Sequence, residues 1–314
     1  MKNKDQKLGK NFISAVVYVH NAQDFLKPFL NCVTQFMEES FLKYEFIFVN
    51  DASTDRSTEL IKDYFKDRKR GMASVLNMSF YQGMEASMRA GMDLAIGDFI
   101  YEFDSAILSY PPGMLKDVYE KCLGDGYDIV SACPMNAKHM CSNLFYSVYN
   151  KYSDSQNTLR SEAFRILSRR AVNRVCSMSR TIPYRKAVYA GCGLPSCAIF
   201  YTMTNHFSTS GKKERTMQWN AAADALMLYT DAAYKFALCF SMLMIIFSIF
   251  VCIYIAAVFV AGKPVPGYVS TIAAIGFGFF GIFVFLTILI KYASLILRIV
   301  FARLKYMTES VEKL

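Results

Sequence analysis

Three polar dipeptides each follow an apolar run of strand length: His20-Asn21, Asn50-Asp51 and Asp104-Ser105. Their imidazole, amide, carboxylate and hydroxyl groups can all bind a polar ligand. In an open parallel sheet, ligands bind beyond the carboxyl ends of the strands, where the three dipeptides would lie side by side. The pattern therefore predicts one ligand-binding site made from three segments of the chain. The alternative is that these are polar loop residues without a ligand.

The elements that must position these side chains alternate between strand and helix. The apolar runs predict strands over 12–20, 44–50, 73–79, 98–104 and 127–134. The intervening segments predict helices over 23–38, from the 51–55 turn to residue 69, over 83–96 and after Pro111-Pro112. Thr54 or Asp55 is the expected cap of the second helix. This alternation predicts an α/β fold with an open, mainly parallel sheet covered by helices on both faces.

Two long apolar runs distinguish the end of the chain. Residues 236–261 and 268–290 carry no charged side chain over 26 and 23 positions. Since a helix of about 20 apolar residues spans a bilayer, the sequence predicts two transmembrane helices joined by a turn at 262–267. We predict a cytoplasmic domain over 1–211, an amphipathic juxtamembrane helix over 212–235 and an amphipathic cytoplasmic tail over 291–314.

Basic residues flank the outer sides of the two runs. Four precede the first run, four follow the second, and the turn contains one: Lys212, Lys213, Arg215, Lys235, Lys291, Arg298, Arg303, Lys305 and Lys263. Under the positive-inside rule, both termini and the large domain are predicted to be cytoplasmic in a multi-pass protein of the inner or plasma membrane. The polar N-terminus, which is unlike a signal peptide, and nine cysteines without CxxC spacing agree with this location.

Composition narrows the functional class. A hydrophobic fraction of 54% excludes a disordered chain. The net charge of +9 is spread along the chain without a nucleic-acid-binding motif, so anionic lipids or phosphorylated substrates are the expected partners. Two uncharged spans argue against a transporter, because transport pathways use ionisable residues within the membrane.

Five segments resemble the family 2 glycosyltransferases with the GT-A fold. More narrowly, they resemble dolichyl-phosphate mannose synthase and the bacterial polyprenyl-phosphate glycosyltransferases with a two-helix membrane tail. FIFVNDASTDRSTELI (46–61) is the most specific, being close to the family's VNDGSxDxS signature. The others are SAVVYVHNAQDFL (14–26), YQGMEASMRAGMDLAIGDFIYEFDS (81–105), FRILSRRAV (164–172), which also reads as a cationic helix start, and the tail over 267–305.

The resemblance implies an inverting transfer of a sugar from a nucleotide-diphosphate sugar, a UDP-sugar, to a membrane-bound acceptor, polyprenyl phosphate. The product would serve a surface polysaccharide or glycolipid. Asp51 would hydrogen-bond the base, and Val19, His20 and Asn21 would line the base and ribose. Gly83 would let its loop approach the nucleotide. Asp104 and Ser105 would lie by the ribose and diphosphate.

The same resemblance implies that Arg165, Arg169 and Arg170 bind the acceptor phosphate or the diphosphate, since guanidinium groups suit phosphate oxygens. Arg169 and Arg170 could instead form a solvated helix face. Ala163 stands where the polyprenyl-phosphate branch has Asp, so Glu162 is the candidate carboxylate, or else a helix-start charge. Asp104, Glu162 and Arg165 are therefore the predicted catalytic residues.

A divalent metal, Mg²⁺ or Mn²⁺, is implied by the family's Asp-x-Asp motif. Here the motif reads Asp104-Ser105-Ala106, so the second carboxylate is missing. Three interpretations stay open. Glu102 and Asp104, two positions apart on one side of a strand, could form a shifted pair; Asp104 alone could hold the metal with diphosphate oxygens and waters; or the site works without metal or is weakened.

A binding-only protein is the alternative function, namely a degenerate transferase that binds a nucleotide sugar or a partner glycosyltransferase. Ala106 and Ala163 favour it. Gly83 and Gly91 could serve only turns and packing, and His20 could be a loop residue. The small residues between 275 and 281 predict helix packing between protomers of a homo-oligomer.

Overall fold

The computed structural model describes residues 9–68, 70–135, 140–153, 157–178, 184–203, 220, 222–227, 229–230, 232–260, 268–301 and 306–314. The predicted turn at 262–267, several flanking basic residues and much of the predicted juxtamembrane helix lie outside these ranges. Contacts divide the chain into two compact units. The first comprises Met1–Asn150, Asp154–Ala222 and Arg303–Leu314, and the second comprises Lys151–Ser153 and Ala223–Ala302.

Strands and helices alternate along the chain in the predicted order. The elements are β1 (Gly9–Val19), α1 (Gln23–Ser40), β2 (Phe41–Asn50), α2 (Ser57–Phe65), β3 (Met72–Met78), α3 (Met84–Leu94), β4 (Phe99–Phe103), α4 (Gly113–Gly124), β5 (Ile129–Pro134), α5 (Met140–Tyr152), β6 (Phe164–Ser168), α6 (Arg169–Met178), α7 (Arg185–Gly191), β7 (Ser196–Tyr201), α8 (Ala232–Val260), α9 (Tyr268–Phe301) and β8 (Thr308–Lys313). The five predicted strands correspond to β1–β5. The prediction that Thr54 or Asp55 caps α2 is wrong, because the N-cap is Arg56; Asp55, just before it, still accepts a hydrogen bond from Ser57 N (3.0 Å).

The strands form one eight-stranded sheet in the order β7-β5-β6-β4-β1-β2-β3-β8. β1 pairs in parallel with both β2 and β4, β2 with β3, and β5 with β7. β6 is antiparallel to its neighbours β4 and β5, and β8 is antiparallel to β3. The predicted α/β class with a mainly parallel sheet is confirmed, and the sheet is mixed.

The segment 164–172 is a strand before it is a helix, which corrects the predicted cationic helix start. Phe164, Arg165, Ile166 and Leu167 are at most 1% exposed. They lie between two neighbouring strands that satisfy their backbone hydrogen bonds. Pairing on both sides outweighs the helical pattern of the segment, and the helix α6 begins only at Arg169.

The end of the chain also differs from the predicted amphipathic tail over 291–314. The helix α9 continues to Phe301, and residues 308–313 form the edge strand β8 on β3. An edge strand otherwise presents unpaired N–H and C=O groups. Pairing with β8 satisfies those of β3, from Ser74 opposite Lys313 to Met78 opposite Thr308.

Close packing between α3 and the sheet fixes the loop that precedes this helix. A Cβ atom at Gly91 would lie 2.5 Å from Val16 Cγ1 and 2.6 Å from Val49 Cγ2. The helix backbone therefore rests directly on β1 and β2.

α1 covers the sheet through buried side chains at helical spacing: Leu26, Phe29, Leu30, Val33 and Met37.

The second unit contains α8 and α9, of 29 and 34 residues. The two helices pack together, with the rings of Phe247 and Phe277 4.7 Å apart and a Cβ at Gly281 only 2.6 Å from Met244 Cε. Gly281 thus packs within the chain, whereas a Cβ at Gly278 would meet nothing within 4 Å. Among the residues that the structure describes, no helix combines the length and hydropathy needed to cross a membrane.

Candidate active site

The three polar dipeptides lie together at the carboxyl ends of β1, β2 and β4, as their positions after parallel strands predicted. We call this end of the sheet the site edge. β1 lies between β2 and β4, with Val19 opposite Asn50 and Val17 opposite Phe103. The residues that follow these strands therefore emerge together. His20 connects two of the segments, since its Nδ1 lies 2.7 Å from the carbonyl oxygen of Asp51 and must donate to it.

Asp51 is fully buried and accepts hydrogen bonds from three donors of the protein. Gln82 N donates to Oδ1 (2.8 Å), and Gly83 N and Tyr18 OH donate to Oδ2 (2.8 and 3.0 Å). The carboxylate thus holds the loop between β3 and α3 against the end of β1.

Two backbone conformations at the site edge explain local residue choices. Gly83 has φ 87° and ψ 162°, a region open essentially to glycine alone. Ala52 has φ 50°, a left-handed conformation that costs an alanine about 1–2 kcal/mol. It stands where the family signature has glycine. Asn21, with φ 48°, accepts a hydrogen bond from Thr54 N (2.8 Å), which joins the two turns.

A group of seven charged side chains lies at the end of β4, which we call the charged cluster: Glu85, Glu102, Asp104, Glu162, Arg165, Arg185 and Lys186. Arg165 Nη1 donates to Glu102 Oε2 (3.0 Å), and Nη2 donates to Asp104 Oδ2 (3.3 Å). Arg185 likewise donates to both carboxylates, reaching Asp104 Oδ1 at 2.9 Å. Each guanidinium therefore joins the carboxylates of positions 102 and 104.

The remaining members complete the cluster at its rim. Arg185 Nε donates to Glu85 Oε2 (2.9 Å), and Lys186 Nζ lies 3.3 Å from Asp104 Oδ2. Glu162 Oε2 is 2.8 Å from Arg165 Nε but without hydrogen-bond geometry, so this is a charge contact. The structure thus brings the predicted residues Asp104, Glu162 and Arg165 together.

Arg185 and Lys186 belong to this site but were not predicted from the sequence. They lie on α7, in a stretch without clear periodicity or a recognised motif. Their adjacent positive charges, with Tyr189 one helical turn later, were the available signal. Tyr189 donates to Glu102 Oε1 (3.3 Å) and its ring lies 5.0 Å from the Arg165 guanidinium carbon.

The carboxylates keep two buried cations of the cluster, Arg165 and Lys186, protonated. Burial lowers the pKa of Arg165, but the negative charges of Glu162 and Asp104 raise it by more. The pKa is therefore above its ordinary value. Burial likewise lowers the pKa of Lys186, while Asp104, Tyr146 and Glu162 raise it, again to a net increase. Positive charge is therefore permanent here at physiological pH.

Arg169 and Arg170 lie at the other end of the strands, beside the start of β4. Ser168, just before them, pairs with Phe99 at the start of β4, whereas Asp104 follows its end. Arg169 donates to the carbonyl oxygens of Gly97 and Ala95, each at 2.9 Å, and Arg170 Nε donates to Asp128 Oδ1 (3.0 Å). The structure does not bring these two arginines together with Arg165, and it does not favour their predicted phosphate-binding role.

The donor set does not fit a divalent metal. Both oxygens of Asp104 and both of Glu102 already contact guanidinium or ammonium groups. Ala106, at the place of the second Asp, is 2% exposed and offers no ligand atom. Within the described ranges, no group of three or more His, Cys, Asp or Glu side chains could hold a metal ion.

Comparisons with known proteins agree with this architecture. An uncharacterized glycosyltransferase of Synechocystis sp. is 24% identical over 275 residues, 84% of each chain. A prophage bactoprenol glucosyl transferase homolog of Escherichia coli is 25% identical over 224 residues, 69% of this chain and 72% of that one.

Glucosyl-3-phosphoglycerate synthase of Mycobacterium tuberculosis, solved with Mn²⁺ and uridine-diphosphate-glucose, superposes with a TM-score of 0.51 at 11% identity. The superposition covers 72% of this chain and 82% of that one, and it shows a shared, GT-A-like fold. The model of the family described as glycosyl transferase family 2 matches residues 14–177, just over half of the sequence. This chain belongs to glycosyl transferase family 2.

Proposed function

We propose that this glycosyltransferase moves a sugar, with inversion, from a UDP-sugar to a polyprenyl phosphate, for a surface polysaccharide or glycolipid. The observation that carries the proposal is the shared carboxyl end of the parallel strands, where Asp51 follows β2 and Asp104 follows β4, the two strands on either side of β1. The E. coli relative named for bactoprenol supports an acceptor of the polyprenyl class.

The two halves of the site edge have different proposed roles. The nucleoside binds beside Val19, His20 and Asn21. Because Asp51 is fully buried, we propose that it acts on the base through the Gln82–Gly83 loop that it holds. The diphosphate binds on the side of Asp104 and Ser105, where the cations of the charged cluster lie.

An ionised phosphate acceptor suits this site, since it requires no general base. A phosphate oxygen of the acceptor attacks the anomeric carbon in line, the bond from that carbon to the UDP oxygen breaks, and UDP leaves with the electron pair. Alanine at position 163 is compatible with this reaction. Glu162, in contact with Arg165, then serves to position the guanidinium.

Membrane anchoring is the second part of the proposal, and it rests on the amino-acid sequence alone. The runs 236–261 and 268–290 contain no charged residue. We propose that they anchor the chain in the inner or plasma membrane with both termini in the cytoplasm, which places the donor site beside a lipid-borne acceptor. The full chain should then remain in the membrane pellet after alkaline carbonate extraction; its release into the supernatant would contradict the anchor.

The transfer reaction is tested directly with the full chain in detergent. Radiolabelled UDP-sugars are incubated with polyprenyl phosphate, and the lipid fraction is examined for label. Transfer to the lipid is expected with at least one donor and should fall strongly in the Asp104→Asn variant. As a matched control, Asp117→Asn changes an exposed carboxylate on α4 and should transfer at the rate of the unchanged chain.

A second candidate function, nucleotide-sugar binding without turnover, is favoured by Ala106 and by the fully paired carboxylates of positions 102 and 104. The same assay separates the two. If no donor gives labelled lipid although UDP binds, and the Asp51→Ala variant loses that binding, the protein is a binding protein rather than a transferase.

A further inference from the structure

We infer that Lys186, held on Asp104 within the charged cluster that Arg165 and Arg185 fix in place, takes the role of the divalent metal in this site, so that a nucleoside diphosphate binds without Mg²⁺ or Mn²⁺. The inference rests on the proposed function, since it states how the same site holds the diphosphate. It concerns a property in which this chain departs from the Mn²⁺-bound structure with the same fold.

The first observation is the loss of the second metal ligand. Ala106 replaces the expected carboxylate. Glu102, the other carboxylate at a spacing of two, is 0% exposed and cannot reach a ligand in solution. Both of its oxygens are occupied: Oε2 accepts a hydrogen bond from Arg165, and Oε1 accepts from Arg185 and Tyr189. A shifted carboxylate pair is therefore ruled out by burial and by pairing.

The second observation is the occupation of Asp104. Its Oδ1 accepts from Arg185 Nη2 (2.9 Å), and its Oδ2 lies 3.3 Å from both Arg165 Nη2 and Lys186 Nζ. Mg²⁺ requires oxygen ligands at about 2.0–2.1 Å in octahedral geometry. A metal ion could reach Asp104 only after these contacts break.

The third observation is that the cations are locked in place. Arg165 and Arg185 each bridge positions 102 and 104, and both side chains are 1% exposed. Two planar guanidinium groups on the same pair of carboxylates form a rigid arrangement. Preorganised cations stabilise the charge that develops on a leaving diphosphate, as a metal ion does.

Lys186 is the cation best placed to contact the diphosphate. Its side chain is 10% exposed, compared with 1% for each arginine, and Asp104 beside it is 13% exposed. An ammonium group has three N–H donors. One faces Asp104, and the others are available to oxygens of the diphosphate.

The test is the affinity for UDP, measured by isothermal titration calorimetry on the full chain in detergent, once with excess EDTA and once with millimolar MnCl₂. We expect equal dissociation constants within about threefold, a difference below 1 kcal/mol. The Lys186→Gln variant should weaken UDP binding about tenfold or more, the usual effect of losing a hydrogen bond to a charged group. Uridine, which lacks the diphosphate, should bind both proteins equally.

Lys116→Gln is the matched control, because Lys116 forms an exposed pair with Glu120 on α4. It should leave UDP binding unchanged. UDP binding that appears only with Mn²⁺ would overturn the inference and leave the proposed transferase intact. Equal loss of UDP and uridine in Lys186→Gln would also overturn it. Absence of UDP binding in both buffers would overturn the inference together with the proposed donor.

Discussion

Glu102 and Arg165 lie directly opposite each other on the antiparallel strands β4 and β6, and their side chains form a buried ion pair with an Nη1–Oε2 distance of 3.0 Å. The side chains are 0% and 1% exposed. A buried charge without its partner is costly, so this pair fixes the register of β6 as well as the position of the guanidinium.

The Glu102→Gln substitution should therefore lower the free energy of unfolding by about 3–5 kcal/mol, because it leaves two arginines beside a neutral amide. Urea denaturation of the purified chain measures this loss. Glu59→Gln, which removes an exposed carboxylate paired with Arg56, should leave the denaturation midpoint unchanged. Similar midpoints for the two variants would show that the buried pair does not stabilise the fold.

Asp51 should control the mobility of the loop that precedes α3. In Asp51→Asn, one side-chain oxygen becomes an NH₂ group facing a backbone N–H or the Tyr18 hydroxyl, at a cost of about 1–3 kcal/mol. We expect faster hydrogen exchange at the amides of Gln82 and Gly83. Tyr18→Phe removes only one donor and should cost about 0.5–1.5 kcal/mol. Unchanged exchange in Asp51→Asn would contradict the role assigned to this carboxylate.

Ala52→Gly should stabilise the protein. The substitution relieves a left-handed alanine, worth about 1–2 kcal/mol, while the freer unfolded chain takes back about 0.4–1 kcal/mol. A net gain of about 0.5 kcal/mol is expected from these values. Ala86→Gly is the control: Ala86 lies inside the helix α3, so glycine there should only destabilise, by about 1 kcal/mol. Thermal unfolding of the three proteins compares them, and a loss in Ala52→Gly would refute the account of the turn.

Gly91→Ala should destabilise by overpacking. The added methyl group would lie within 2.6 Å of two valine side chains of the sheet. Forcing an extra carbon into a packed core costs about 1–3 kcal/mol. Gly113→Ala, where the methyl group meets nothing within 4 Å, should instead be neutral or stabilising, because alanine favours a helix. Chemical denaturation distinguishes them; equal effects would mean that α3 can move away from the sheet.

Asp55 should make a pH-dependent contribution to stability. Burial raises its pKa, but hydrogen bonds from Ser57 and Gln23 lower it more, so the folded pKa lies below the model-peptide value. The contribution is therefore present above the unfolded pKa of about 3.9 and is lost as pH falls through the lower folded value. Asp55→Ala removes the acceptor for Ser57 N and Gln23 N and should cost about 1 kcal/mol at neutral pH. The difference from the unchanged chain should shrink below pH 4. A difference that is independent of pH would contradict this assignment.

The sequence allowed the parallel half of the sheet and one side of the site to be predicted. Runs such as Ile13–Val19 are apolar at nearly every position because both faces are buried, and the polar residues that follow them mark the strand ends. β6 was missed because Arg165 is charged yet buried, and its burial depends on distant partners on β4 and α7. Arg185 and Lys186 were missed for the same reason: their partners are about 80 positions earlier in the chain.

The edge strand β8 makes the first compact unit, which contains the sheet, discontinuous in sequence. Met307, just before β8, exchanges two hydrogen bonds with Gln82, the residue that also donates to Asp51. A protein truncated before α8 would lose this strand and its contact with the loop. It would also leave β3 with a bare row of backbone donors and acceptors, a template for aggregation. A shortened version should therefore graft residues 306–314 back through a linker rather than simply end early.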